Sequence, residues 1–381
     1  MVDGVCDARF AKVREVFASS FERGEEIGAS FAVTLAGKSV IDLWGGYKDA
    51  SKTNPWHDDT IVKVASTSKG ITAFLAHMLM NEGRLDVDEP VATYWPEFAV
   101  AGKQAITVRH LMSHTAGLST WTEPITFDDC ADWEKVTSLL AAQETLWPPG
   151  ERSGYHMVTF GYLVGEVIRR ITGVSVGTYL RSVADPIGLD MHIGVGPELD
   201  ARVADDVPDY GDQSAADVWG AMDETTIAFQ TFTNPPPPPE MTAEQVTLWR
   251  RMEMPAGNAH TNARSLARLF SIYANEGKLD GVAVLAPNTV QQAGTIVSDA
   301  IDEVFGMQAQ WTLGYLRNYS GFIYGPNTET FGHSGSGGSF GFADPVRQVS
   351  VGYAPNRLTA GLAGDPRTLP LIAAVYECLD A

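Results

Sequence analysis

The chain has 381 residues, 44% hydrophobic and 19% charged. That is enough apolar material for one large core or two medium ones, and it excludes wholesale disorder. Forty-seven acidic against 27 basic side chains give a formal charge of −20, and no basic run exceeds two residues, which argues against a nucleic-acid partner or an anionic membrane surface. Three widely spaced cysteines, Cys6, Cys130 and Cys378, are too few to staple such a chain and read as reduced thiols of a cytoplasmic protein. No basic leader followed by an apolar run opens the sequence, so neither secretion nor membrane insertion is expected.

Phe10, Val13, Val16, Phe17 and Phe21 recur at helical spacing over residues 8–25, predicting an opening amphipathic helix. Two β-rich runs follow, 29–35 and 39–44, joined as a hairpin by Ala36-Gly37-Lys38. The middle of the chain changes period, with helical patterns over 66–81, 108–114, 132–143, 159–172 and 176–183. Residues 196–240 lack a clear period and end in Pro235 to Pro239, which reads as a surface excursion with a short polyproline II spacer. Beyond a helix at 263–275, strand-like runs return at 307–315, 321–324, 341–343 and 348–353, before a last helix at 369–379. The expected class is α/β, more closely α+β. One antiparallel sheet built from both termini (1–64 and 255–381) carries terminal helices and is interrupted by a mainly helical domain at 65–254.

Ser66-Thr67-Ser68-Lys69 is the only Ser-x-x-Lys in the chain, and it opens the helix at 66–81 directly after a strand-like run. An i,i+3 spacing puts the lysine on the face of the serine, where a desolvated amine can take the hydroxyl proton. The helix N-terminus favours the negative charge formed when the hydroxyl attacks a carbonyl. Taken alone, the motif is equally what an N-cap serine and a surface lysine would look like. Two further segments change its weight. Pro148-Pro149-Gly150-Glu151-Arg152-Ser153-Gly154-Tyr155-His156 leads into a helix and presents a phenol from a turn. Phe331-Gly332-His333-Ser334-Gly335-Ser336-Gly337-Gly338 joins two strand-like runs with residues small enough for a substrate to lie along a strand edge.

Together these elements resemble the serine β-lactamase and penicillin-binding-protein superfamily, in its class C-like branch and the family VIII carboxylesterases. Asp42 to Tyr47, Ile106 to Leu118 and Gly165 to Gly173 look like recurrent segments of the same branch. The resemblance implies a β-lactamase/DD-peptidase-like fold, with Ser66 as nucleophile, Lys69 as its partner and Tyr155 as second acid/base group. It further implies His333, Ser334 and Gly335 along the substrate, and the backbone N–H groups of Ser66 and Ser336 as oxyanion hole. One of Lys69 and Tyr155 must be unprotonated for attack, and the sequence leaves open which.

Two departures bear on substrate. Met157 stands where penicillin-recognising members have an amide, and His333 replaces a lysine, at best a partial charge at neutral pH. Both favour neutral esters over β-lactams. Trp121 and Trp133 are candidates to line an apolar acyl pocket. Gly337-Gly338-Ser339-Phe340-Gly341 fits a nucleophile elbow, but no histidine follows His333, so the Ser…Asp…His order fails and Ser339 reads as a decoy. His110 and His114 have zinc-helix spacing without the intervening glutamate, so no metal and no cofactor are expected.

The sequence therefore points to a serine hydrolase cleaving small-molecule carboxylic esters through an acyl-enzyme. An acyltransferase using the same intermediate, a β-lactamase or D-Ala-D-Ala peptidase, and a non-catalytic binding protein stand as alternatives.

Overall fold

The computed structural model describes residues 2–209, 222–236, 241–321, 323–361 and 364–381. Its frame is a nine-stranded antiparallel sheet. From one edge, the strands run Val2–Cys6, Lys38–Gly46, Gly28–Leu35, Val349–Pro355, Phe340–Asp344, Phe331–Ser334, Leu316–Arg317, Gln308–Trp311 and Ser298–Ile301. The two ends of the chain meet where Gly28–Leu35 pairs with Val349–Pro355, with Val33 opposite Val351.

Alternation decides which layer covers each face. Phe31, Val33, Val349, Val351 and Tyr353 pack with Phe10, Val13 and Phe17 of the first helical segment and with Leu371, Ile372 and Val375 of the last helix, Leu369–Asp380. On the other face the residues are small. A Cβ on Gly352 would stand 2.3 Å from the Ala263 carbonyl oxygen, and one on Gly341 would stand 2.4 Å from the Phe270 ring. The helix Ala263–Ala274 thus lies directly on the strands, with Ala263 and Ala267 against Ala32. Beyond it lies the larger core, into which Thr67–Asn81, Val108–Met112, Trp133–Ala142, Thr159–Thr172 and Val176–Ala184 bury their apolar stripes.

The expected hairpin and five central helices are present with small changes of boundary. Five readings are corrected. Val2–Cys6 is an edge strand, hidden in the sequence because Asp3 and Gly4 depress strand propensity. The strand Ser298–Ile301 was likewise not read. The run expected over 307–315 ends at Trp311, because Gly314 takes φ +87° to pass Ala73 and the chain turns into Leu316–Arg317. Among the described residues of the run expected over 321–324 no strand forms, Phe322 lying outside them, and the Tyr324 N–H instead donates to Asn318 Oδ1. The excursion at 196–240 carries a helix of its own, Ile227–Thr233, N-capped by Thr226, and Val207–Pro208 pairs in parallel with Arg357–Leu358. Of the proline run, Pro237 to Pro239 lie outside the described residues.

Among the described residues no helix is long and apolar enough to cross a membrane. Because the helix–sheet contact leaves no room at Gly352, Gly352→Ala is expected to cost about 1–3 kcal/mol, read as a lower denaturant midpoint at unchanged m-value.

Candidate active site

A small three-stranded sheet sets the start of the site. Val62–Lys63 pairs with His260–Thr261, and the Val64 N–H continues the ladder to the Ala259 carbonyl at 2.9 Å. Ala65 then adopts φ +42°, which turns the chain into Thr67–Asn81 with half-buried Ser66 at its N-cap. The Ser66 hydroxyl makes no capping bond; the lysine one turn on claims it instead. Lys69 Nζ lies 3.1 Å from Ser66 Oγ and donates to the Ala256 carbonyl at 3.0 Å. Ser68 and Thr72 hold the same wall, Ser68 Oγ accepting from the Ala259 N–H at 2.9 Å and Thr72 Oγ1 donating to Pro255 O at 2.8 Å.

Lys69 is fully buried and forms no ion pair among the described residues. Burial alone pushes its amine well below the ordinary lysine range. Tyr155, 4% exposed, packs its ring 4.7 Å from Lys69 Nζ. Burial drives the phenol above its usual range, opposed by its hydrogen bond with Ser66 and assisted by the Asp302 carboxylate. Burial thus acts on both groups toward their uncharged forms, the amine and the phenol.

The third segment closes the site from the sheet side. A Cβ on Gly335 would stand 2.4 Å from both the Val64 carbonyl oxygen and Ser339 Oγ, so the end of Phe331–Ser334 is pressed against the turn that carries Ser66. Gly335 N–H donates to the Ser339 carbonyl at 2.7 Å, and half-buried Ser336 follows in the turn. Ser334 Oγ bonds Tyr324 Oη at 2.9 Å. His333 Nδ1 donates to the Ser334 carbonyl at 2.8 Å, which leaves Nε2 a buried acceptor with no partner. Burial, then any positive charge on Lys69, lowers this imidazole to about 3. It is uncharged at neutral pH, where the sequence allowed a partial charge.

Ser339 is 3% exposed, donates to the Val64 carbonyl at 2.7 Å and lies 3.0 Å from Thr67 Oγ1. It is a strut between strand and helix. Half-buried Met157 joins an apolar cluster with Tyr155, Trp311, Val304 and Phe232. Trp121 and Trp133, expected along an acyl pocket, sit in the helical layer. Their indole N–H groups donate to the Val136 carbonyl at 2.9 Å and to Glu166 at 2.7 Å, and both rings pack edge-on against Tyr162 inside the helical layer.

His110 caps its own helix through Thr107. His114 accepts from the His156 N–H at 3.0 Å and sits 5.0 Å from the Tyr155 ring. Among the described residues no cluster of three or more metal-ligating side chains occurs. Sequence reasoning missed His114 as a wall of the site and Asp302 altogether. The only local signal for Asp302 is a turn-like Asp-Glu-Val.

The Beta-lactamase family model matches residues 13–374. The chain belongs to that family. It is 33% identical over 371 residues to the esterase/beta-lactamase LipL of Mycobacterium tuberculosis, covering 95% of this chain and 84% of LipL. Among solved structures, a family VIII carboxylesterase superposes with a TM-score of 0.90 at 39% identity, covering 99% of this chain and 100% of its own. A penicillin-binding protein homologue from Caulobacter crescentus does so with a TM-score of 0.89 at 41% identity, with the same coverage.

The uncompensated burial of Lys69 makes a stability prediction. Its pKa is lower folded than unfolded, so below the ordinary lysine value of about 10.4 the unfolded chain binds a proton that the native state lacks. Stability therefore rises with pH between the folded value and about 10. In Lys69→Met this contribution, a slope of about 1.4 kcal/mol per pH unit, should vanish from denaturant unfolding measured across that window, without loss of stability at neutral pH.

Proposed function

We propose that this chain is an esterase-type hydrolase of the β-lactamase fold that cleaves carboxylic esters of small molecules through an acyl-enzyme on Ser66. The observation that carries the reading is the Lys69 amine, buried without a counter-charge, 3.1 Å from Ser66 Oγ. A buried, unpaired ammonium is costly, whereas a neutral amine at hydrogen-bond distance from a hydroxyl is a general base.

In acylation Lys69 takes the Ser66 proton while Oγ attacks the ester carbonyl. The N–H groups of Ser66 and Ser336 receive the oxyanion. The neutral Tyr155 phenol gives its proton to the departing alkoxide and regains one from the Lys69 ammonium, which restores the pair. Deacylation repeats the cycle with water in place of serine, and release of the acid frees Ser66. An alcohol acceptor in place of water would give acyl transfer with the same residues.

Substrate charge follows from His333, Ser334 and Gly335. With His333 neutral and Met157 apolar, no fixed cation or amide supports a β-lactam carboxylate, and the net charge of −20 disfavours anionic substrates further. A binding-only role would leave the buried amine unexplained. The three cysteines are unpaired, which fits the reducing cytoplasm as its location. The reaction as written needs neither metal nor cofactor.

A fluorophosphonate probe should label Ser66 stoichiometrically, and Ser66→Ala should abolish both labelling and p-nitrophenyl ester turnover. Ser339→Ala should lower stability but retain labelling, since it removes only the strut; a peptide map placing the label on Ser339 would falsify the mechanism.

Ester kcat/KM should rise with pH through the lowered Lys69 pKa and level off before the ordinary lysine value of about 10.4. It should also exceed that for nitrocefin; nitrocefin turnover equal to the best ester would refute the assignment of His333 and Met157.

A further inference from the structure

Asp302 is a fully buried carboxylate outside every motif of the sequence. It forms no ion pair among the described residues, yet it accepts five hydrogen bonds. Its Oδ1 takes the N–H groups of Tyr155 at 3.0 Å, Val304 at 2.9 Å and Phe305 at 3.1 Å. Its Oδ2 takes the Ser153 hydroxyl at 3.1 Å and the Trp311 indole N–H at 3.0 Å. The two bonds within its own turn are what any Asx turn provides. The other three are not local, and they converge on Tyr155. Both aromatic rings stacked on the phenol hang from the same carboxylate. Phe305 lies 4.7 Å away and is tied through its backbone; Trp311 lies 5.7 Å away, nearly parallel, and is tied through its indole. The Glu303 N–H donates to the Ser153 carbonyl at 2.8 Å, completing the seam between the Tyr155 turn and the sheet-edge hairpin.

We propose that Asp302 is a positioning residue of the reaction, the single carboxylate that fixes the Tyr155 backbone and its two stacking rings so that the phenol stays between Lys69 and Ser66. The proposal rests on the Ser66 acyl-enzyme reading above. A buried carboxylate satisfied only by N–H and O–H donors is rigid, because moving any donor leaves charge unpaired. That is the property required of a group that must hold a proton donor to within a fraction of an ångström. Its charge also acts on the phenol, which faces the Ser66 hydroxyl, the Lys69 amine, the neutral imidazoles of His114 and His333, the Tyr324 phenol and Asp302. Asp302 is the one carboxylate among these groups, and it opposes tyrosinate.

Asp302→Asn separates this role from mere folding. The amide oxygen can keep the three backbone N–H bonds, while the new NH2 group opposes the Trp311 indole N–H, donor against donor. In the full-length protein, with active sites counted by fluorophosphonate labelling at Ser66, kcat per labelled site on a neutral p-nitrophenyl ester should fall about 10- to 100-fold. KM should stay within about threefold. The alkaline limb of kcat should move to lower pH, because removing the carboxylate charge eases phenol ionisation. Asp299→Asn, on the exposed strand edge, should leave all three unchanged. Wild-type kcat per site together with a wild-type alkaline limb in Asp302→Asn would overturn the proposal. Should that variant not fold, Ser153→Ala removes one Oδ2 donor and decides the matter: a several-fold lower kcat per site at constant KM supports the role, and no change overturns it. Failure of the native protein to label at Ser66 is a separate result, which removes the hydrolase reading and this proposal with it.

Discussion

The site depends on one primary amine held out of water without an anion beside it. Lys69 lies on the first turn of Thr67–Asn81, a position that on an isolated helix would be solvated. The segment at 254–259 buries it, seated by the three-stranded sheet and by a close approach in which a Cβ on Gly161 would stand 2.3 Å from the Ala256 nitrogen. The helix Thr159–Thr172 therefore pushes the wall onto the amine. Desolvation then holds the amine well below the ordinary lysine range.

The surroundings are kept consistently uncharged. Burial lowers His333 to about 3 and His156 to about 4, and it holds His114 well below its ordinary range. His156 is locked as the Nδ1–H form, Nδ1 donating to the Gly154 carbonyl at 2.6 Å and Nε2 accepting from the Leu118 N–H at 3.2 Å. Any one of these rings as a cation would raise the cost of an ammonium at Lys69.

Charge is instead placed behind the loop that presents Ser336. Arg367 donates to the Gly337 carbonyl at 2.7 Å and is itself held by Asp365 at 2.7 Å and Glu26 at 3.2 Å. The Glu26 carboxyl, buried against Tyr353, is pushed up to about 7, burial outweighing the attraction of Arg367. This cluster braces the 335–338 turn through the Gly337 carbonyl. Asp302 braces Tyr155 in the same manner from the sheet edge. Both clusters join segments far apart in sequence, so the rigidity of the site is a long-range property of the chain.

What could be read without coordinates was whatever is local. Helical and strand periods placed most elements, because amphipathic repeats report burial of one face. Ser66 and Lys69 were legible because i,i+3 spacing on a helix guarantees their proximity, and Tyr155 and the His333 segment because their motifs are contiguous. The absence of a histidine after His333 argues against a nucleophile elbow at Ser339, which the structure buries between strand and helix. Desolvation and packing were not legible, being set by residues far along the chain. They push the Lys69 amine well below and the Tyr155 phenol above their ordinary ranges. They also make His333 neutral and turn Trp121 and Trp133 into the helical layer. Asp302 illustrates the limit most clearly: in sequence it is one acid in an ordinary turn, and only the fold brings Ser153, Tyr155 and Trp311 to its two oxygens.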